Sequence, residues 1–161
     1  FCLFVGSVRS WTLNMIYKAN QKIMHSEKCS SSDAEFLLSY WQLVSDNIVE
    51  WQEVLNKSLT KKALRENYIV TLAITISAFG KLGRFFFDND NYKMQDYLPK
   101  LQQIDWLRSN SMWIGRTIRD NGKVLNSEEA ISLTCAVIKR EIGLPLTKEE
   151  KQKEKQISEK M

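Results

Sequence analysis

"LRENYIVTLAITISAFGKLG", residues 64–83, holds the longest apolar run of the chain and decides how the rest is read. The run from Ile69 to Gly80 is interrupted by Thr71, Thr75 and Ser77. A membrane span needs about 20 apolar residues, so this run is too short and predicts a buried central helix. Its apolar spacing places that helix over residues 61–86. Gly80 and Gly83 cost helix propensity, and so mark close packing or the helix end.

Working outward, apolar residues keep recurring at three- and four-residue steps, the period of a one-sided helix. Trp11, Met15, Ala19 and Ile23 share one face, with Ile16 beside them. Phe36, Leu37, Tyr40, Trp41, Val44, Ile48, Trp51 and Leu55 form a second such face, with a bend expected near Asp46 and Asn47. Ser32 and Glu35 have the spacing of a capping box before it. Pro99 suits the first turn of a short helical segment. "LNSEEAISLTCAVIKREIGLPLT", residues 125–147, carries a cap at Asn126 or Ser127 and a terminating glycine at Gly143, with Pro145 following. Thr147 and Glu150 repeat the capping box.

These segments predict an all-α fold, a single orthogonal or irregular bundle of about six helices. A small hairpin is expected near 117–125, turning on Asn121 and Gly122. The chain divides into three parts. Residues 1–9 read as the exit from an upstream domain, 10–146 as the helical domain, and 147–161 as a charged terminal helix or disordered tail. Trp41, Trp51, Ile74 and Leu133 are the expected inward anchors.

Composition narrows the function classes. Six Gly and two Pro are few for a loop-rich or all-β protein. A net charge of +4 and a pI near 8.9 permit a polyanionic partner without requiring one. Cys2, Cys29 and Cys135 are scattered and odd in number, which fits a reducing, cytoplasmic compartment. His25 is the single histidine and reads as a surface residue. Neither a zinc-ligand cluster nor a catalytic constellation is visible, so no metal, cofactor or enzymatic activity is expected from these residues. "DNDN", residues 88–91, lacks the glycine and distal glutamate of a calcium loop.

The block "IDWLRSNSMWIGRTIRDNGKVLNSEEA", residues 104–130, departs from plain amphipathic helix. It gathers Trp106, Trp113, Arg108, Arg116, Arg119 and Lys123 beside Ser109 and Asn110. Two readings stand. Arginine forks suit phosphate oxygens, which points to a DNA-contacting surface held by the two tryptophans. Alternatively the block is a structural corner, in which Asp105 pairs with Arg108 and Arg116 caps a helix end.

Longer motifs resemble one family. "YWQLVSDNIVEWQEVL" (40–55), the opening stretch at 64–83, "LQQIDWLRSNSMWIGRTI" (101–118) and "GKVLNSEEAISLTCAVIKREIGLPLTKEE" (122–150) are similar, in order, to blocks of the DndB family. "WTLNMIYKAN" (11–20) resembles the helix that follows that family's DGQHR domain. The D-G-Q-H-R sequence itself is absent here. The resemblance implies a DNA-linked role: the non-enzymatic C-terminal module of a DNA-binding transcriptional regulator of a phosphorothioate modification gene cluster. It implies DNA and the chain's own upstream DGQHR domain as partners, with no membrane contact and with homo-oligomerisation open. Arg108, Asn110, Arg116, Arg119 and Lys123 are then the candidate DNA-binding residues, with Trp106 and Trp113 as supporting aromatics. The alternative is a helical interaction or oligomerisation module that buttresses the DGQHR domain without touching DNA.

Overall fold

The computed structural model describes residues 13–24 and 29–159. Expectations placed on Cys2, Trp11, His25 and the segment 1–9 lie outside the described residues. The fold is all-α. Its helices are α1 (Leu13–Ile23), α2 (Ser31–Asp46), α3 (Val49–Leu55), α4 (Lys61–Asn67), α5 (Ala73–Asp88), α6 (Met94–Tyr97), α7 (Glu128–Glu141) and α8 (Lys148–Ser158). Two 3-10 segments, Leu98–Gln103 and Ser111–Trp113, complete the described elements. Among the described residues the helix count exceeds the expected six because two of the long predicted helices are broken.

The break in the deciding stretch is the more informative. Residues 61–86 do not form one helix: α4 ends at Asn67 and α5 begins at Ala73. Ile69, Val70 and Thr71 are consecutive β-branched residues, which lose rotamer freedom in a helix. Here they form a turn instead, in which Leu72 N–H donates to Ile69 O (2.9 Å). Ile69 N–H donates to Trp106 O (3.0 Å), Arg108 N–H donates to Asn67 O (2.8 Å), and Tyr68 pairs with Leu107 as an isolated antiparallel bridge. Ile69 and Val70 are fully buried in this connection. The second break falls at Asn47 and Ile48, near the expected bend. The short helix α3 that follows turns Trp51 and Val54 inward and leaves Leu55 39% exposed, so Val54 takes the core position expected of Leu55.

Helix α5 is the centre, packed most extensively on α1 and α7. Its approach to α1 is backbone-close. A Cβ on Gly80 would lie 2.7 Å from Ala19 O, and one on Gly83 would meet Ile23 and Tyr40 side-chain carbons at 2.8–2.9 Å. The two glycines therefore mark close packing. The Tyr40 hydroxyl donates to Phe79 O across the α2–α5 contact. Trp41, Trp51, Ile74 and Leu133 are all buried.

Local caps differ in one place from expectation. Helix α2 starts two residues early, boxed by Ser30 and Asp33 rather than Ser32 and Glu35. Ser30 N–H donates to the Asp33 carboxylate (2.9 Å), and this contact, with the Ser30 hydroxyl beside it, lowers the carboxyl below its ordinary value. Ser127 caps α7, Thr147 and Glu150 box α8, and Gly143 takes the left-handed conformation (φ 83°). Pro99 sits in the first turn of its 3-10 segment.

Candidate nucleic-acid interface

The block 104–125 is a folded corner, and its side chains divide into an inward and an outward set. Trp106 and Trp113 are inward. They are 1% and 0% exposed and stack on each other at 5.4 Å between centroids, with planes 10° apart. Trp106 also lies against Phe79 of α5 (5.8 Å). Trp113 Nε1 donates to Asp105 O (2.9 Å). Buried rings cannot stack on bases, so the supporting aromatics act through packing.

Asp105 and Asn110 tie the corner locally. The Asp105 carboxylate accepts from Leu107 N–H (2.9 Å) and from Asn110 Nδ2 (3.0 Å), while Asn110 Oδ1 caps the Ser111–Trp113 turn through Met112 N–H. The expected Asp105–Arg108 pairing is replaced by these contacts. Arg108 turns to α4 instead: its guanidinium donates to Arg65 O (2.8 Å) and Tyr68 O (3.3 Å). Those carbonyls are freed by the end of α4, so Arg108 fills the helix-end role that the sequence suggested for Arg116.

Arg116 is corrected most. It is 5% exposed and is not a surface residue. Its Nε donates to both Glu154 oxygens (2.9 and 3.0 Å), and its Nη1 approaches Met112 O and Ile114 O. Glu154, on α8, also accepts from Arg140 (3.3 Å). The physical reason is the turn around Gly115 (φ 74°), where Trp113 O accepts from Arg116, Thr117 and Ile118 N–H and directs the Arg116 stem inward. A charge this buried must be paired, and α8 supplies the pair. Beneath it, Thr117 and Thr134 share a buried hydroxyl hydrogen bond (2.9 Å).

Arg119 and Lys123 are outward. The segment 117–125 turns back on itself: Arg119 N–H donates to Lys123 O, Gly122 N–H to Arg119 O (both 2.8 Å), and Leu125 N–H to Thr117 O (2.9 Å). Ile118 and Val124 form an isolated antiparallel bridge, and Gly122 has φ 78°. This is the small hairpin-like turn, without a strand among the described residues. Arg119, Asp120 and Lys123 are exposed at its tip.

Sequence reasoning missed α8 as part of this corner. Glu150 and Glu154, four apart, face inward: Glu150 takes Lys139 Nζ (2.8 Å) and Glu154 takes Arg116. Lys139 is 3% exposed and also lies over the Phe85 ring (4.8 Å). Lys148, Lys151 and Lys155, spaced three and four apart, lie on the opposite face of α8 and are exposed. The T-x-x-E box announced the helix, but nothing in the local sequence announced its partners.

The family described as DndB, DNA-sulfur modification-associated, matches residues 5–145. The chain belongs to the DndB family. The DndB match spans the tryptophan corner and the hairpin-like turn and ends before α8, so the helix that pairs Arg116 lies beyond it. No curated protein and no solved structure matches the chain. Among the described residues no helix is long and apolar enough to cross a membrane, and no group of three or more His, Cys, Asp or Glu is placed to hold a metal ion.

Proposed function

We propose that this chain is the non-enzymatic C-terminal module of a DNA-binding regulator of a DNA phosphorothioate modification gene cluster, working in the cytoplasm beside an upstream DGQHR domain. The observation that carries the reading is the sorting of charge at the corner. Glu150 and Glu154 of α8 turn inward onto Lys139 and Arg116, while Arg119, Lys123, Lys148, Lys151 and Lys155 face solvent, with exposed Glu149 held by Lys153 and exposed Glu159 beside Lys155. A polyanion meets the outward set. Binding of this kind is dominated by phosphate contacts, so affinity falls with salt at a log-log slope of about −0.9 per neutralised phosphate. Asp120 at the turn tip opposes it locally.

The test is fluorescence anisotropy on a duplex from upstream of the modification genes, beside an unrelated duplex, over a salt series. Arg119→Ala with Lys123→Ala should weaken binding and make the slope shallower by about one per lost contact. Equal binding by wild type and double variant removes the turn from the interface. A preference for the upstream duplex supports the regulator reading over general DNA affinity.

A second reading is a helical interaction module that buttresses the upstream domain or a second copy without touching DNA. It is favoured by an apolar groove of about 270 Å³ lined by Asn20, Leu37, Leu38 and Trp41, in which Leu38 is 53% exposed. No DNA binding by this chain, with binding by a longer chain carrying the upstream domain, would favour it.

A further inference from the structure

A cleft of about 570 Å³ opens between α1, α5, α7 and α8. Ligand sites commonly occupy about 300–1,000 Å³. Its floor is apolar, from Phe85, Leu133, Cys135 and Ala136. Five cations line it: Lys22, Lys81, Arg84, Lys139 and Lys153. Two are committed to the fold. Lys139 is buried against Glu150 and Phe85, and Arg84 holds Asp88 (2.7 Å) and Ile23 O (3.2 Å).

Lys22 and Lys81 differ. Their side chains are 25% and 34% exposed. Both reach one carboxylate, Glu128, at 2.8 and 3.6 Å, and that carboxylate is 69% exposed. Lys81 Nζ also lies 2.7 Å from Ser132 Oγ. Lys153, 31% exposed, pairs with Glu149, which is 76% exposed. The cations are rooted and their counter-ions are loose. Exposed pairs of this kind contribute little, so an incoming anion displaces the carboxylates readily. Charge favours the exchange, since two ammonium groups face one carboxylate's single negative charge and a dianion matches them both.

We infer that this cleft binds a phosphate group between Lys22 and Lys81, with Glu128 as the built-in competitor that it displaces. The phosphate belongs to a free mononucleotide or to a polynucleotide backbone. The site stands independently of the DNA reading of the turn, because it shares none of that surface's residues.

The experiment is titration calorimetry on the whole chain in a phosphate-free buffer, with inorganic phosphate, adenosine monophosphate and a short duplex as probes. Chloride at matched ionic strength is the control. Lys22→Ala with Lys81→Ala should weaken binding by roughly tenfold or more, as removal of two charge-assisted contacts requires. Glu128→Gln, nearly isosteric and so a safe folding variant, should tighten it several-fold by removing the competitor. Saturable phosphate or mononucleotide binding with both effects identifies a free phosphate as the source. Duplex binding alone, with both effects, identifies the backbone. Binding that chloride matches, that ignores the lysine variant, or that Glu128→Gln fails to tighten overturns the site. Arg119→Ala with Lys123→Ala, run in parallel, should leave phosphate binding unchanged and so separates this site's failure from that of the turn.

Discussion

Helix α5 buries Ile74, Ile76, Phe79, Leu82 and Phe86 against its neighbours, whereas α8 buries Glu154 alone of its residues. One helix is attached by apolar surface and backbone-close glycines. The other is attached by a buried arginine–glutamate pair and a partly buried lysine–glutamate pair. Apolar burial is non-directional and contributes about 25 cal/mol per Å². A buried ion pair contributes little net stability, since desolvation offsets much of the attraction, yet losing one partner strands the other. The two attachments should therefore fail differently: α5 with the whole fold, α8 by itself.

The largest expected effect is on the α5 side of that contrast. Trp51 is fully buried and packs edge-on to Phe79 (6.1 Å). Trp51→Ala should cost about 3–5 kcal/mol in urea denaturation. An unchanged midpoint would show that the inward face of α3 is wrongly assigned.

The α8 side should yield a smaller and local change. Glu154→Ala strands Arg116, for which about 3–5 kcal/mol is the usual penalty. Detachment of α8 caps that penalty by letting Arg116 reach water. Hydrogen exchange of the α8 amides should accelerate by roughly tenfold or more, while α5 keeps its protection. Uniform acceleration across both helices would mean that α8 is part of the global unit and would erase the distinction.

The cysteines sharpen the comparison with little effect at neutral pH. Cys135, on α7 and packed within the core, has its thiol pushed up from 9.0 to about 12 by burial. Folding favours its neutral form, so its contribution is present below pH 9 and is lost as pH rises from there toward about 12. At pH 8, iodoacetamide should modify exposed Cys29 and spare Cys135, read by peptide mass spectrometry. Modification of Cys135 as fast as Cys29 would show that the core opens where it is expected to be closed.

What the sequence disclosed follows the same division. Apolar period and capping chemistry are local, so the helical class, the inward anchors, the Asn47 bend, the box at Thr147 and the terminating glycine at Gly143 could be read directly. The break at residues 68–72 could not, because Ile69 and Val70 satisfy helical spacing as well as a buried turn. Only Trp106 O, which accepts from Ile69, and Arg108 N–H, which donates to Asn67 O, both distant in sequence, show which wins. The candidate site was legible as a cluster but not as a geometry. Arg108, Arg116 and Arg119 look alike in one dimension. Their separation into a helix-end cap, a buried partner of Glu154 and an exposed tip residue depends on contacts across the fold.

The central claim is that inward cations hold this corner together while outward cations meet DNA. Its most direct test is the salt slope of duplex binding for two paired variants, both checked for helicity by circular dichroism. Arg116→Met with Glu154→Leu replaces the buried pair by apolar side chains. Lys151→Ala with Lys155→Ala removes two outward charges and leaves the pair intact. The account predicts an unchanged slope for the first and a slope shallower by about two for the second. A shallower slope for the first with no change in the second would contradict it.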